Sequence, residues 1–327
     1  MNITRKRILP LLAGLAAAVS VISVQAQEVT LRAVSSFAPG TAFAKPFEEF
    51  VKKVNEEGKG LVQINYLGGP AAMPPFEVGN AVSRGVVDMA NVTSAFYTSL
   101  LPVADGLKLA EIGMEEQRKN GAWEYINELH NKKMNTWYLA RTGEGVPFHL
   151  YTNRKIDKPD LSGMTLRVTP VYTAFFRDLG GNVVQTAPGE VYTALERGVV
   201  QGYGWPIQGI LDLGWQGVTK FRVDPGFYNV DVNVLVNLNR WNSLNDEQRA
   251  FLTRMAAWLE EYDRTNNPRI NDEERKKQAD AGIETITFDG AVRDQWLNRA
   301  RESGWRLVQQ QAPADEAAKL RSLITKP

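Results

Sequence analysis

The chain contains no cysteine. That excludes disulfides, cysteine-ligated zinc, iron–sulfur clusters, thiol nucleophiles and CxxC redox chemistry. It also excludes a lipid anchor, which needs a cysteine at the cleavage site. Histidine is almost as scarce, with His130 and His149 alone. A three-histidine zinc site is therefore impossible, and a Ser-His-Asp triad would have to use one of these two. Charge of one sign is also lacking. Lys and Arg total 38 against 37 Asp and Glu, a net charge of +1 over 327 residues. No basic excess is left over for wrapping nucleic acid. Beyond the N-terminus no apolar run approaches the ~20 residues of a spanning helix. No GxSxG, GxxxxGK[ST], HExxH or EF-hand loop occurs, and no GxGxxG opens a strand-to-helix turn. The 37 carboxylates form no pair that spacing singles out. An enzyme is not expected.

What is present begins with a leader. Arg5-Lys6-Arg7 is a basic segment, Ile8 to Val24 is mostly apolar, and Val24-Gln25-Ala26 ends it with small residues. This pattern reads as a cleavable secretory signal peptide over residues 1–26. Pro10 and the short apolar run argue against a membrane anchor. Cleavage removes three basic residues, leaving 301 residues with a net charge of −2. The hydrophobic fraction of 43% and charged fraction of 23% suit a packed globular chain of one large or two ordinary domains. An exported, cysteine-free, soluble protein with no lipid anchor fits a bacterial periplasm. ATP and NAD are not supplied there, and no cofactor or metal is expected.

The mature chain repeats itself. Residues 77–87, EVGNAVSRGVV, match residues 190–200, EVYTALERGVV, at seven of eleven positions. Each segment reads as an amphipathic helix, a terminating Gly and a buried Val-rich strand. Upstream, Thr30-Leu31-Arg32 is echoed by Thr165-Leu166-Arg167. In the first half the order is strand Val29–Val34, helix from about Phe43 to Val54, strand Leu61–Tyr66, the Glu77 helix and strand Val86–Val92. Phe43, Phe47, Phe50, Val51 and Val54 share one face of that first helix. In the second half the order is strand Thr165–Thr169, helix Tyr172–Leu179, strand Asn182–Gln185, the Glu190 helix and strand Val199–Gly202. Each half is β-α-β-α-β, so the fold class is α/β with two lobes, each a mostly parallel sheet flanked by helices. Ligands bind such sheets beyond the carboxyl ends of the strands, which places the site in the cleft between the lobes. Lobe I is expected over 27–147 plus about 234–270, and lobe II over 148–233 plus about 271–327.

The rest of the chain is mixed. Residues 106–135 read as helical. Met134–Leu139 and Phe148–Asn153 read as strands, separated by a turn-rich lobe crossing over Thr142–Pro147. Asn229–Leu238 reads as another strand. Asn245 with Gln248 forms a capping-box pattern. The helix that follows has an apolar face of Phe251, Leu252, Met255, Trp258, Leu259 and Tyr262, and charged residues extend it to about Lys277. Residues 290–327 read as two further surface helices.

Few residues carry chemistry. His130 reads as an exposed helix residue. His149, in a strand between Phe148 and Leu150, could touch a ligand or be a satisfied strand histidine. Glu77 and Glu190 lie at helix starts, where a carboxylate favours the dipole. Arg167 sits near the carboxyl end of a buried strand, which suits a bidentate carboxylate clamp. An ion pair with a structural Asp or Glu is the other reading. In Gly202-Tyr203-Gly204-Trp205-Pro206 two glycines would let the backbone approach a ligand, with Trp205 as a wall. A tight loop with Trp205 in the core fits equally well.

On specific motifs the chain resembles the extracytoplasmic solute-binding proteins of TRAP transporters, the DctP-type family. The matching segments are Leu67-Gly68-Gly69-Pro70, Gly85-Val86-Val87-Asp88-Met89-Ala90, Asp160 through Val168, Pro188 through Leu195, and Trp241-Asn242-Ser243-Leu244. Together they span most of residues 28–265. The resemblance implies two lobes that close on an organic acid and a membrane permease as partner. It puts the family's clamp arginine at Arg167, a wall residue at Trp205 and a ligand-binding asparagine at Asn233. It also points to first-lobe contacts from the loop Ser35-Ser36-Phe37 and from Thr93-Ser94-Ala95-Phe96-Tyr97, with Phe37, Ser94 and Tyr97 as the named contacts. Phe148, Pro170 and Tyr172 complete the expected site. Phe148-His149-Leu150-Tyr151 stands where sialic-acid-type members carry a second arginine, which argues against a polyhydroxylated sugar acid. The aromatics around a single Arg favour an apolar or aromatic monocarboxylate, then a small keto or hydroxy acid. A monomer is expected. Service to an ABC importer or a sensor kinase, or a periplasmic enzyme on a two-lobe scaffold, are the alternatives.

Overall fold

The computed structural model describes residues 28–326. The proposed leader lies outside the described residues. The first unit runs β1 (Val29–Ser35), α1 (Lys45–Glu57), β2 (Val62–Tyr66), α2 (Val78–Ser83) and β3 (Met89–Thr93). Helices α3 (Met114–Lys119) and α4 (Ala122–Met134) lead to β4 (Thr136–Thr142). The second unit is β5 (Phe148–Thr152), β6 (Thr165–Val168), α5 (Pro170–Asp178), β7 (Asn182–Gln185), α6 (Val191–Glu196) and β8 (Gly202–Pro206). There follow β9 (Phe221–Asp224), β10 (Val232–Asn237), α7 (Leu238–Ser243), α8 (Asp246–Asp280), β11 (Glu284–Thr287), α9 (Gly290–Gln311) and α10 (Ala314–Ile324).

Among these residues the strands form two sheets, ordered β2-β1-β3-β10-β4 and β11-β9-β5-β8-β6-β7. Within each repeat unit the pairing is parallel: β1 with β2 and β3, β6 with β7 and β8. Antiparallel strands extend both sheets, β10 beside β3 and β4 in one, β5 beside β8 and β9 in the other. The two expected lobes are therefore present, and their sheets are mixed.

The chain passes from sheet to sheet three times: at 143–147, at 225–231 and along α8 towards β11. The first two passes pair with each other, Pro147 bridging Asn229 and the Val230 amide donating to the Val146 carbonyl at 3.0 Å. Helix α8 grips the first pass through Asn267 and Asn271, whose amides donate to the carbonyls of Glu144 and Gly145 at 3.0 and 2.9 Å. That helix begins at the expected capping box, the Gln248 amide donating to Asn245 Oδ1 at 2.9 Å and the Asn245 amide to Gln248 Oε1 at 3.0 Å. Its buried face is Phe251, Leu252, Met255 and Leu259, packed on α1 and the first sheet. Trp258 and Tyr262 stack on each other at its edge, Tyr262 remaining exposed.

Several local expectations change. The strands placed at Val86 and Val199 begin later, at Met89 and Gly202, and both valines are more than half exposed. Gly85 and Gly198 end their helices in the left-handed region, at φ 73° and 70°. The following amides turn back to bond Ala81 and Ala194, so each valine sits on the outside of the turn. Phe43 precedes helix α1 rather than opening it. His130 is fully buried, not exposed, because α4 turns it inward beside Ile126, Leu129 and Met134. The C-terminal helices are also more than surface cover, since Trp296 and Trp305 of α9 are buried.

Candidate functional site

The carboxyl ends of β1, β3, β6 and β8 meet between the lobes. The chain leaving β1 supplies Phe37 and Phe43, that leaving β3 supplies Phe96, and β8 ends with Trp205. With Phe148 and Tyr172 these rings surround a small inner chamber of about 30 Å³. A second, outer chamber of about 250 Å³ is lined by Phe37, Phe43, Pro70, Pro188, Trp205 and Leu213. Phe37, Phe43 and Trp205 border both chambers and form the partition between them. The Phe43 and Trp205 rings meet edge to face across the lobes at 6.2 Å. Trp205 is wall and core at once, its ring centre lying 4.8 Å from that of Trp215 and its indole N–H donating to the Gln208 carbonyl at 3.0 Å.

Arg167 lies on β6, fully buried, its guanidinium 5.9 Å from the Trp205 ring centre. Nε and Nη2 donate to the Thr186 carbonyl at 3.1 and 2.6 Å, and Nη1 has no partner. Among the described residues no carboxylate bonds this cation. Burial pulls its pKa down to about 10, so it remains charged at neutral pH. The alternative of a structural ion pair is thus not what the geometry shows. A buried guanidinium with a free donor edge is costly unless an anion meets it.

Phe37, Phe148, Tyr172 and Trp205 line the inner chamber, as placed from sequence. Pro170 does not line it; it opens α5, whose next residues, Val171 and Tyr172, do. Tyr97, Asn233 and Ser94 line neither chamber. They belong to a buried network: the Asn233 amide donates to the Tyr97 hydroxyl at 2.9 Å, and Tyr97 lies 3.1 Å from His130 Nε2. His130 Nδ1 faces the Ile126 carbonyl at 2.8 Å, so Nε2 accepts the Tyr97 proton. The Tyr138 hydroxyl donates to Asn233 Oδ1 at 2.7 Å. Asp231 Oδ2 accepts from the Ser94 amide at 3.1 Å and from Asn233 at 3.3 Å. Burial pushes Asp231 up to about 6 and His130 down to about 4. His149 is a held strand histidine, Nδ1 lying 2.9 Å from the Val223 carbonyl and 3.0 Å from Asp224.

The glycines of β8 make room for other parts of the protein, a ring in one case and a backbone carbonyl in the other, rather than for a ligand. A Cβ on Gly204 would stand 2.6 Å from the Tyr172 ring, and one on Gly202 2.5 Å from the Tyr151 carbonyl. Thr93 and Phe96, from the expected first-lobe segment 93–97, line the inner chamber, whereas sequence reasoning passed over Phe43 and Thr169, which also line it, and Thr186 beside Arg167. The rule that strand ends face the cleft could have found Thr186, which follows β7 directly.

A two-lobed α/β scaffold enclosing an aromatic chamber is the architecture of a solute-binding protein. The profile of the bacterial extracellular solute-binding protein family 7, DctP, matches residues 34–310. The chain belongs to that family. A curated relative, the monocarboxylate 2-oxoacid-binding periplasmic protein of Nostoc sp., is 27% identical over 237 residues. The match covers 67% of this chain and 64% of the relative, just under two thirds of its length. Among solved structures, a TRAP periplasmic solute-binding protein of Desulfovibrio salexigens with bound orotic acid superposes with a TM-score of 0.81 at 18% identity, over 90% of this chain and 97% of that one. The Bordetella pertussis receptor DctP6, binding pyroglutamic acid, gives 0.80 at 18% identity, over 90% and 99%. At such identities these structures speak for the fold.

Proposed function

We propose that this protein is the periplasmic receptor of a TRAP-type transporter, capturing an organic acid between its lobes and delivering it to a membrane permease. The observation that carries the reading is Arg167: a buried cation whose Nη1 finds no partner among the described residues. The Thr186 carbonyl occupies the Nε side of the guanidinium, so the carboxylate meets the end formed by Nη1 and Nη2. Phe37, Phe148, Tyr172 and Trp205 shield the body of the ligand, and desolvation by lobe closure strengthens the pair. Asn233, Tyr97 and Ser94 act from behind the chamber by holding its floor. Among the described residues no arginine lines either chamber; Arg167 stands next to them, its guanidinium 5.9 Å from the centre of the Trp205 ring that borders both. One cation among aromatic rings favours an apolar or aromatic monocarboxylate, followed by a small keto or hydroxy acid. The Nostoc relative's name and the orotic and pyroglutamic acids of the structural neighbours support a carboxylate. The protein works as a monomer after loss of residues 1–26, and it returns its ligand unchanged.

The test is calorimetric titration of residues 27–327 with aromatic monocarboxylates, keto and hydroxy acids, dicarboxylates, sugar acids and neutral sugars. One class of acid binds, and Arg167→Ala loses about 3 kcal/mol or more, roughly a hundredfold, by leaving the carboxylate buried and unpaired. Affinity retained within about threefold (well under the ~1.4 kcal/mol of a tenfold change) would remove Arg167 from the site. Binding of neutral sugars alone would overturn the carboxylate reading.

A further inference from the structure

Arg167 Nη1 is not the only polar atom left without a partner here. The hydroxyl of Thr186 is buried and makes no hydrogen bond among the described residues. Thr186 follows β7 directly, and its amide donates to the Val168 carbonyl at 3.4 Å, so its backbone is fastened to β6. Its own carbonyl takes Arg167 Nε and Nη2. Four covalent bonds separate that carbonyl oxygen from the hydroxyl oxygen, a span of no more than about 4.5 Å. The free hydroxyl therefore sits on the residue that holds the guanidinium, within about 7 Å of Nη2. The next residues, Ala187 and Pro188, line the outer chamber together with Trp205.

Two unmatched buried donors this close are unusual, because folded proteins satisfy nearly all such groups. The cost is removed if one group with several acceptor lone pairs meets both. A carboxylate has about four such positions. We infer that Thr186 Oγ1 is the second donor of the anion seat, giving its proton to one carboxylate oxygen while Arg167 binds the end-on edge. Thr186 thereby has two functions: its carbonyl orients the arginine, and its hydroxyl touches the ligand. The inference rests on the carboxylate reading above and deepens it. A hydroxyl on a fixed backbone also selects for acids whose charge lies in a flat carboxylate.

The experiment compares wild type, Arg167→Ala, Thr186→Val and Thr186→Ser with pyruvate, pyroglutamate, orotate and phenylacetate as probes. Binding is read by calorimetry, and ligand-free melting temperature is read alongside. Thr186→Val keeps the backbone carbonyl and the shape but deletes the donor. It loses about tenfold or more in affinity, as for a hydrogen bond to a charged group, whereas Thr186→Ser stays near wild type. Ligand-free Thr186→Val melts at the wild-type temperature or above it, because an unmatched buried hydroxyl has become a methyl. A merely structural threonine would move the melting temperature down instead. If wild type binds a probe, Arg167→Ala abolishes it and Thr186→Val binds as well as wild type, the inference fails and the carboxylate reading stands. If wild type binds none of these acids and Arg167→Ala changes nothing, the reading itself falls, and the inference with it. A Thr186→Val that melts low assigns the hydroxyl to the fold and overturns the inference, while the Thr186→Ser titration reports separately on the donor.

Discussion

Asp231 is one of several acids the fold takes out of water. Burial raises it to about 6, above the ~3.9 of an exposed aspartate. A raised carboxyl stabilises the folded state fully below its unfolded pKa, and that stabilisation is lost as pH rises through about 6. Asp231→Asn keeps an oxygen for the Ser94 amide and cannot titrate. Urea unfolding of the two proteins at pH 4 and pH 7.5 will show the variant gaining about 2–3 kcal/mol on wild type at the higher pH. A pH-independent difference between them would refute the assignment. His130 moves oppositely, since its lowered pKa adds stability above the ordinary histidine value and loses it as pH falls towards 4. The comparison cancels that contribution. At this scale the sequence was partly readable. Arg167 stood out because a charged residue near the end of an apolar strand needs a reason. His130 did not, because Glu-Leu-His-Asn reads as a polar helix surface, and only the tertiary approach of Tyr97 gives a buried imidazole its partner.

At the scale of elements, strand β8 shows how a backbone makes room for a ring. Gly204 lies in register with Leu150, with the Tyr172 ring against it. Gly204→Ala puts a methyl where that ring stands, and an overpacked core site costs about 1–3 kcal/mol. Denaturant unfolding should show that loss, and because Tyr172 lines the inner chamber, affinity should drop with it. A variant as stable as wild type would mean the ring moves freely. The repeated order β-α-β-α-β was legible because both periods, helical and extended, are written in the apolar positions twice. The strand starts were not. Val86 and Val199 look like strand residues by composition, but left-handed glycines before them place them on the turn. Nor did the pattern reveal that Gly204 faces the Tyr172 ring and Gly202 the Tyr151 carbonyl, because nothing local says which atoms a bare backbone will meet.

For the molecule as a whole, the two lobes touch at the cleft mouth through Asp212, whose Oδ2 accepts from the Ala42 amide at 2.9 Å. Asp212 follows β8 in one lobe and Ala42 precedes α1 in the other. It lines neither chamber, so Asp212→Ala should act only on the balance between closed and open forms. Affinity should fall about fivefold, the worth of one modest hydrogen bond made in a single state. Small-angle scattering of the ligand-free variant should report a larger radius of gyration. Unchanged scattering with unchanged affinity would show that the contact does not govern closure. The two-lobe plan was visible in the repeat, and the first crossing in the turn-rich stretch before Pro147. The latch was not, since 170 residues separate its two halves and neither carries a motif.

The partition within the cleft has its own consequence. Phe37 and Phe43 come from one lobe and Trp205 from the other. Neither lobe forms these two chambers alone. The inner chamber is lined from both sides, by Phe37, Phe43 and Phe96 of one lobe and by Phe148, Tyr172 and Trp205 of the other, so its shape depends on how the lobes meet. Contacts that hold the lobes together, such as Asp212 with Ala42, therefore bear on how long a cargo stays as well as on how tightly it is held.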